Sequence, residues 1–277
     1  MGGVAKEYFK LINQKLFDPN MDMFRFNPDT NLSWFNGRSF EPNMSFELVG
    51  MLMGIAFYNN YFIDMPIVPT CYKILLDREL DLKDLQQWDE ETAKSLQYIL
   101  DYKASENQGM PLEDLLARTF TVSVENFGAH EEIELVPGGS NIYVTKDNRE
   151  EFVRLFIEYQ FKKQCQTQLD YFKKGFERLV DIRMLQTILT PEDLEQIICG
   201  QRTLNFKELQ ETCKYGGGFH ENSRTVKWLW EIMLDEWSDK ERRQLLTFST
   251  GTDRAPVNGL KSMKFYIIKD TEKDVTD

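Results

Sequence analysis

Positive charge is in short supply in this chain of 277 residues: 33 Lys and Arg face 45 Asp and Glu, a net charge of -12. Nucleic-acid binders carry basic stripes, so the balance argues against that class. An acidic surface either serves solubility or meets a basic protein partner. Cysteine is scarce as well. Cys71, Cys165, Cys199 and Cys213 are the only four, and their spacing makes no C-x-x-C pair and no zinc signature. A chain this long and this poor in cysteine is not a disulfide scaffold, which points to a reducing, intracellular compartment, cytoplasmic or nuclear. The two histidines, His130 and His220, lie far apart with no triad partner in view. No metal or cofactor is expected. Long apolar runs are missing too. The longest, "LVGMLMGIAFY" at residues 48–58, is too short to span a bilayer and reads as a buried helix. Its Gly50 and Gly54 signal close helix packing. The start, "MGGVAKEYFK", has no apolar signal core, and Lys6 stands where a myristoylation motif needs Ser or Thr. Met1 reads as the head of a segment from a longer parent. There is no internal repeat, and "YGGGFH" lacks the G-K-[ST] of a phosphate loop and reads as a flexible turn.

What the chain does have is aromatic mass. Twenty Phe, eleven Tyr and five Trp supply enough apolar surface for real cores, and the length suits about two domains. Residues 5–17 read as an amphipathic helix. "LFDPNMDMFRFNPDTNLSWFNG" reads as short strands and turns. Helices are expected at 45–58, around "PTCYKILLD", at "DLKDL" and through "DEETAKSLQYILDYKAS". "NQGMPLED" is a polar break. "RTFTVSVENFG" then alternates like a strand, and "EIELVPGGSNIYVT" suggests two strands joined around Pro137-Gly138-Gly139-Ser140. Asp147 with Glu150 fits a capping box opening one long helix from 149 to about 180, weakened near Gly175. "LTPEDLEQIICG" has Thr190 at the N-cap, Pro191 in the first helical position and Gly200 as the stop. A boundary falls there. Helices follow at "RTVKWLWEIMLDEW" and at "SDKERRQLLTF", the latter opened by Ser238 with Glu241, and "SMKFYIIKD" alternates as a strand.

Six stretches in this order resemble the HECT-type ubiquitin ligases: "GGVAKEYFKLINQKLFDPNMDMFRF", "FELVGMLMGIAFYNNYFIDMP", "TFTVSVENFG", "VTKDNREEFVRLF", "LEQIICGQRTLNF" and "FSTGTDRAPVNGL". The versions "TGTDRAPVNGL" and "LFDPNMDMF" are most similar to the E6-associated-protein branch. The resemblance covers nearly the whole chain. It implies a bilobal α+β fold, mostly helical. An N-lobe at residues 1–199 would include a small α/β subdomain at about 82–147 that binds a ubiquitin-conjugating enzyme. A hinge would follow at Gly200, Gln201, Arg202 and Thr203, and an incomplete C-lobe at 204–277. It implies a ubiquitin-protein transferase whose C-lobe cysteine takes ubiquitin as a thioester and passes it to a substrate lysine. The substrate would be recognised by regions upstream.

The family's cysteine lies in a motif like L-P-x-x-H-T-C-F soon after the strand matching "KFYIIKD". Here that strand is followed by "TEKDVTD" and Asp277. The catalytic cysteine is therefore expected beyond Asp277, and the chain alone is expected to be inactive. Cys71 in "VPTCYK" superficially resembles T-C-F but falls in the core region, and none of the other three has the neighbouring His and strand. What remains is docking. Carried over from the family, the groove for the conjugating enzyme falls on Thr92, Leu96, Ile99, Tyr102, Leu116 and Phe152. Thr92, Leu96 and Ile99 share one helix face, which could equally pack into the subdomain's own core. Thr92 departs from the larger apolar residue usual in the family, and "KASENQGMPLEDLLAR" is longer than the family's loop. The alternative to a ligase fragment is a module that only recruits conjugating enzymes.

Overall fold

The computed structural model describes residues 3–269 apart from 64, 107–108, 127–128, 202, 251–253 and 257. In chain order these form α1 (Gly3–Leu16), β1 (Phe24–Asn27), β2 (Leu32–Phe35), α2 (Asn43–Asn59), α3 (Thr70–Leu75), α4 (Leu82–Trp88), α5 (Glu90–Asp101) and α6 (Leu112–Leu116). Then come β3 (Thr121–Asn126), β4 (Ala129–Glu134), α7 (Arg149–Phe161), α8 (Gln166–Glu177), α9 (Ile182–Ile188), α10 (Pro191–Cys199) and α11 (Phe206–Thr212). Last are β5 (Lys214–Gly216), α12 (Arg224–Glu231), α13 (Asp239–Thr250) and β6 (Tyr266–Ile268). The fold is mostly helical α+β, with three two-stranded sheets among the described residues. Among those residues no helix is long and apolar enough to cross a membrane. The chain divides into two compact units.

One unit comprises residues 16–52 and 66–191. Its centre is aromatic. Trp34 meets Phe161 edge-on at 5.1 Å between ring centroids, and Phe35 lies 5.1 Å from Phe172 and 6.2 Å from Phe46, all in geometries that rings prefer. The β1–β2 hairpin supplies Trp34 and Phe35, with Phe24 opposite Phe35 in register. Helix α2 crosses α8 where Gly50 faces the backbone of Phe172 and Phe176, and Gly175 faces that of Glu47 and Met51. Only residues without a Cβ fit this crossing. The close packing read from the glycines of "LVGMLMG" is therefore real at Gly50. Beside it, Glu47 is buried, its side chain 8% exposed, and its carboxylate pairs with Lys174 at 3.2 Å and with Arg178.

Three local expectations are corrected here. The long helix is broken at residues 162–165, not near Gly175: α7 stops at Phe161, a 3-10 turn spans Lys163–Cys165, and α8 runs straight through Gly175. Asp147 does not open α7. Asn148 is the N-cap, and its side chain is spent on the preceding turn, accepting from Thr145 N at 2.7 Å and donating to Tyr143 O at 2.9 Å. The hairpin is also displaced. β3 pairs antiparallel with β4 from Thr121↔Glu134 to Asn126↔Ala129, whereas the Pro-Gly-Gly-Ser segment leads into a 3-10 turn and a single bridge, Thr119↔Tyr143. Glu134 holds that segment, accepting from Gly138 N, Ser140 N and Ser140 Oγ at 3.0, 3.1 and 2.6 Å. These bonds, the Ser140 hydroxyl first, hold its carboxyl below the usual range.

The other unit comprises residues 1–15, 53–65 and 192–277. Its core gathers Phe206, Leu209, Val226, Trp230, Met233 and Leu246. Trp230 Nε1 donates to the Tyr215 hydroxyl at 3.0 Å. β5 and β6 pair in parallel, which needs the long crossover that joins them. The expected single helix "RTVKWLWEIMLDEW" ends α12 at Glu231 and continues as a π-helical turn, Ile232–Glu236. Arg242 donates to the carbonyls of Met233 and Leu234 at 2.9 and 2.6 Å and so satisfies groups the turn leaves free. The "YGGGFH" segment contributes two strand residues, Tyr215 and Gly216, before Gly217 and Gly218 turn at positive φ. Gly200 ends α10 at φ 73°, the left-handed position a helix stop favours. Gln201 then exchanges backbone bonds with Ala255 at 2.8 and 3.3 Å. Thr203 is exposed, and Arg202 lies outside the described residues.

Candidate functional site

Helix α5 begins at Asp89, whose carboxylate accepts from Thr92 N at 2.9 Å and from the Thr92 hydroxyl at 2.6 Å. Glu90 and Glu91 complement the helix dipole in the first turn. At the other end Arg149 of α7 donates to the carbonyls of Ile99 and Tyr102 at 3.3 and 2.8 Å, so a cation closes the helix C-terminus. Ala93, Leu96 and Ile99 point inward at helical spacing, and Ser95 and Tyr98 point out. Helix α6 ends at Ala117, which takes φ 47°, and the reversal sets Leu116 and Arg118 opposite α5.

Between them lies an open hollow of about 520 Å³ lined by Lys94, Ser95, Tyr98, Ile99, Leu116 and Arg118. A second hollow of about 290 Å³ adjoins it, with Thr92, Leu96 and Phe156 in its lining and with Ser95 and Arg118 shared. Tyr98 is half-exposed, at 49%. Lys94 pairs with Glu90 at 2.8 Å. The Arg118 guanidinium lies 5.2 Å from the Phe152 ring centroid and 5.7 Å from that of Phe156, within cation-π range.

The residues expected to form a groove separate into two sets. Leu96 and Phe152 are fully buried, Ile99 is 2% exposed and Tyr102 6%. Ile99 still lines the larger hollow and Leu96 the smaller. Tyr102 and Phe152 lie behind them: the Tyr102 hydroxyl donates to Met110 O at 2.8 Å, and Phe152 packs edge-on against Phe120 at 5.4 Å. Thr92 and Leu116 are half-buried at the margins, and Thr92 is committed to its cap. The sequence reading passed over Lys94, Ser95, Tyr98 and Arg118. A signal for three of them was present, because Ser95, Lys94 and Tyr98 fall on the outward face of an otherwise amphipathic helix and Tyr98 is a large aromatic there.

None of the cysteines is set up as a nucleophile by the geometry. Cys71, Cys165 and Cys199 are buried. Burial pushes the Cys165 thiol up to about 12, and its Sγ donates to Phe161 O at 3.6 Å. Cys213 is half-exposed, yet desolvation raises its pKa too. His130 is exposed on β4, and His220 Nδ1 accepts from Asn222 N at 3.2 Å within its own turn. Among the described residues no cluster of three or more His, Cys, Asp or Glu is placed to hold a metal ion.

Against known families, the model described as "HECT-domain (ubiquitin-transferase)" matches residues 10–277. The chain belongs to the HECT family. Among its relatives, the rat "Probable E3 ubiquitin-protein ligase HERC4" is 36% identical over 266 residues, covering 96% of this chain and 24% of that protein. The "E3 ubiquitin-protein ligase Nedd-4" of Drosophila melanogaster is 33% identical over 267 residues, 95% of this chain and 25% of that protein. The human "Probable E3 ubiquitin-protein ligase HECTD2" is 32% identical over 283 residues, 97% and 35%. This HECT chain thus spans 24 to 35% of the length of these relatives. The hollow beside α5 lies within the matched residues.

Proposed function

We propose that this HECT chain docks a ubiquitin-charged conjugating enzyme through the hollow between α5 and the Leu116–Arg118 turn. In the parent protein, a C-lobe cysteine beyond Asp277 then accepts the ubiquitin. The thiolate attacks the thioester carbonyl, and the conjugating enzyme's cysteine leaves as a thiolate. A substrate lysine amine next attacks the new thioester, loses its proton, and the C-lobe thiolate leaves. Both steps need near-attack geometry, which a swing of the C-lobe about Gly200, Gln201, Arg202 and Thr203 would supply. Substrate recognition belongs to regions of the parent outside this chain.

The observation that carries the docking reading is an open hollow with an apolar floor, Ile99 and Leu116, and a half-exposed tyrosine at its rim. Aromatic rim residues next to apolar floors are where interface energy concentrates. The buried state of all but one of the cysteines, and the raised pKa of that one, Cys213, favour binding without transfer for these residues alone. The test is a titration against a panel of ubiquitin-conjugating enzymes by calorimetry. Micromolar binding is expected to at least one, weakened about tenfold by Tyr98→Ala or Leu116→Ser. Phe152→Asp is unsuitable as a surface probe, because it places a charge where no atom meets water. A folded chain that binds no conjugating enzyme would overturn the docking reading.

A further inference from the structure

Arg118 is the anomaly of the site. Its guanidinium has no hydrogen-bond or ion-pair partner among the described residues. Its company is the faces of Phe152 and Phe156. It is half-buried, lines both hollows, and loses enough solvation that its pKa is lowered. A guanidinium stays protonated regardless, so the cost of burial is carried as an unanswered charge. Backbone bonds fix its position, since Val144 N donates to the Arg118 carbonyl at 2.8 Å.

The surroundings sharpen the point. In a chain with a net charge of -12, the charged side chains lining the larger hollow are, among the described residues, both cations, Lys94 and Arg118. Lys94 is answered by Glu90, and Arg118 is not. Glu91 lines the smaller hollow together with Arg118 but makes no ion pair with it. The five donors of a planar guanidinium match a carboxylate in bidentate geometry.

We infer that Arg118 selects the docking partner, pairing with a carboxylate that the conjugating enzyme's loop carries beside its apolar anchor. The inference rests on the docking reading above. The anchor seats against Ile99 and Leu116 under Tyr98, and the adjacent Asp or Glu reaches Arg118. Selection works in both directions. A partner with the carboxylate gains charge-assisted bonds, and one with an apolar or basic residue there buries Arg118 unpaired or against a like charge.

The experiment measures the affinities of the wild type, Arg118→Met, Arg118→Glu and Tyr98→Ala for the same panel, at low and high salt. Arg118→Met keeps an apolar stem over Phe152, and circular dichroism confirms that each variant is folded. The enzymes that bind are expected to carry Asp or Glu next to their apolar anchor. Arg118→Met should weaken them about tenfold and flatten the salt dependence. Arg118→Glu should abolish binding, and changing the partner's carboxylate to Lys should restore it. If Tyr98→Ala loses binding while Arg118→Met binds with unchanged affinity and salt dependence, docking stands and the inference falls. Failure of the reversed pair to rescue also overturns it. If the folded wild type binds no enzyme, both fall.

Discussion

Replacing Gly50 by alanine sets two effects against each other, and the structure decides the sign. In an isolated helix the change stabilises by about 1 kcal/mol, because glycine has the most backbone freedom to lose. At the α2–α8 crossing the new methyl would overlap the Phe172 carbonyl oxygen and lie 2.8 Å from Phe176 N. Both are main-chain atoms, so no rotamer change relieves the clash. The helices must part, by roughly 1.5 Å or more if carbon is to reach its usual contact distance of about 3.5 Å. Parting stretches the Glu47 ion pairs to Lys174 and Arg178 and loosens Phe172 from Phe35, whose centroids are 5.1 Å apart. Gaps of that size forfeit about half or more of each dispersion well across the contact, and overpacking of well-filled interiors costs about 1 to 3 kcal/mol or more. After the helix gain is subtracted, Gly50→Ala should destabilise by about 2 kcal/mol, a large share of a domain's stability. Gly175 meets the Glu47 carbonyl in the same crossing, so Gly175→Ala should behave alike. Together the two should cost less than their sum, because the first has already opened the interface. Urea unfolding followed by tryptophan fluorescence reads this as a lower midpoint at unchanged slope. A Gly50→Ala midpoint equal to or above the wild type would refute the reasoning.

Glu47 also sets a pH dependence. Burial pushes its carboxyl up, but the hydrogen bonds and charges of Lys174 and Arg178 outweigh burial and leave it below the ordinary glutamate value of 4.5. The unfolded chain therefore takes up the proton first, and this part of the stability is present above about pH 4.5 and lost as the pH falls through the lower folded value. Glu47→Gln should be less stable at neutral pH and lose less on acidification; urea midpoints that fall in parallel with the wild type would contradict this. Ser238 caps α13, with Glu241 N donating to its Oγ at 3.4 Å and Ser238 N donating to the Glu241 carboxylate at 2.8 Å. Ser238→Ala should cost about 1 kcal/mol in thermal unfolding, and an unchanged melting temperature would show that the cap is idle. Under native conditions a thiol reagent should label Cys213 first and slowly, with Cys71, Cys165 and Cys199 reacting only after unfolding. Mass spectrometry showing the four labelled at one rate would overturn the assigned burial.

Where the fold was legible, local chemistry and tertiary contact agreed. Pro191 in the first turn and Gly200 at the stop bound α10 as read, because φ at Gly200 is positive and its neighbours are fixed by Ala255. The Ser238–Glu241 box held because both partners are exposed and nothing competes for them. The Asp147–Glu150 box failed because Asn148, one position on, is equally capable and is drawn into the turn from Tyr143 to Thr145. The break at residues 162–165 carried no Gly or Pro signal. It lies where the backbone of Gly37 presses against the Gln164 carbonyl, more than a hundred residues away in sequence, and local pattern cannot carry such a contact.

The site was half legible for a related reason. The spacing of Leu96 and Ile99 shows one face of α5, and an apolar face looks the same whether it floors a groove or fills a core. Here it does both: the buried bulk of each residue packs inward, and an edge of each is left in a hollow. Energy for docking then has to come from groups that change environment on binding, and a residue already 0% exposed changes little. That shifts the expected determinants from Leu96 and Phe152 to Tyr98, Leu116 and Arg118. Tyr98 was discoverable from its place on the polar face of α5. Arg118 was not, because an arginine between a short helix and a strand reads as an ordinary surface cation until the structure lays it on two buried phenylalanine rings with no ion-pair partner among the described residues.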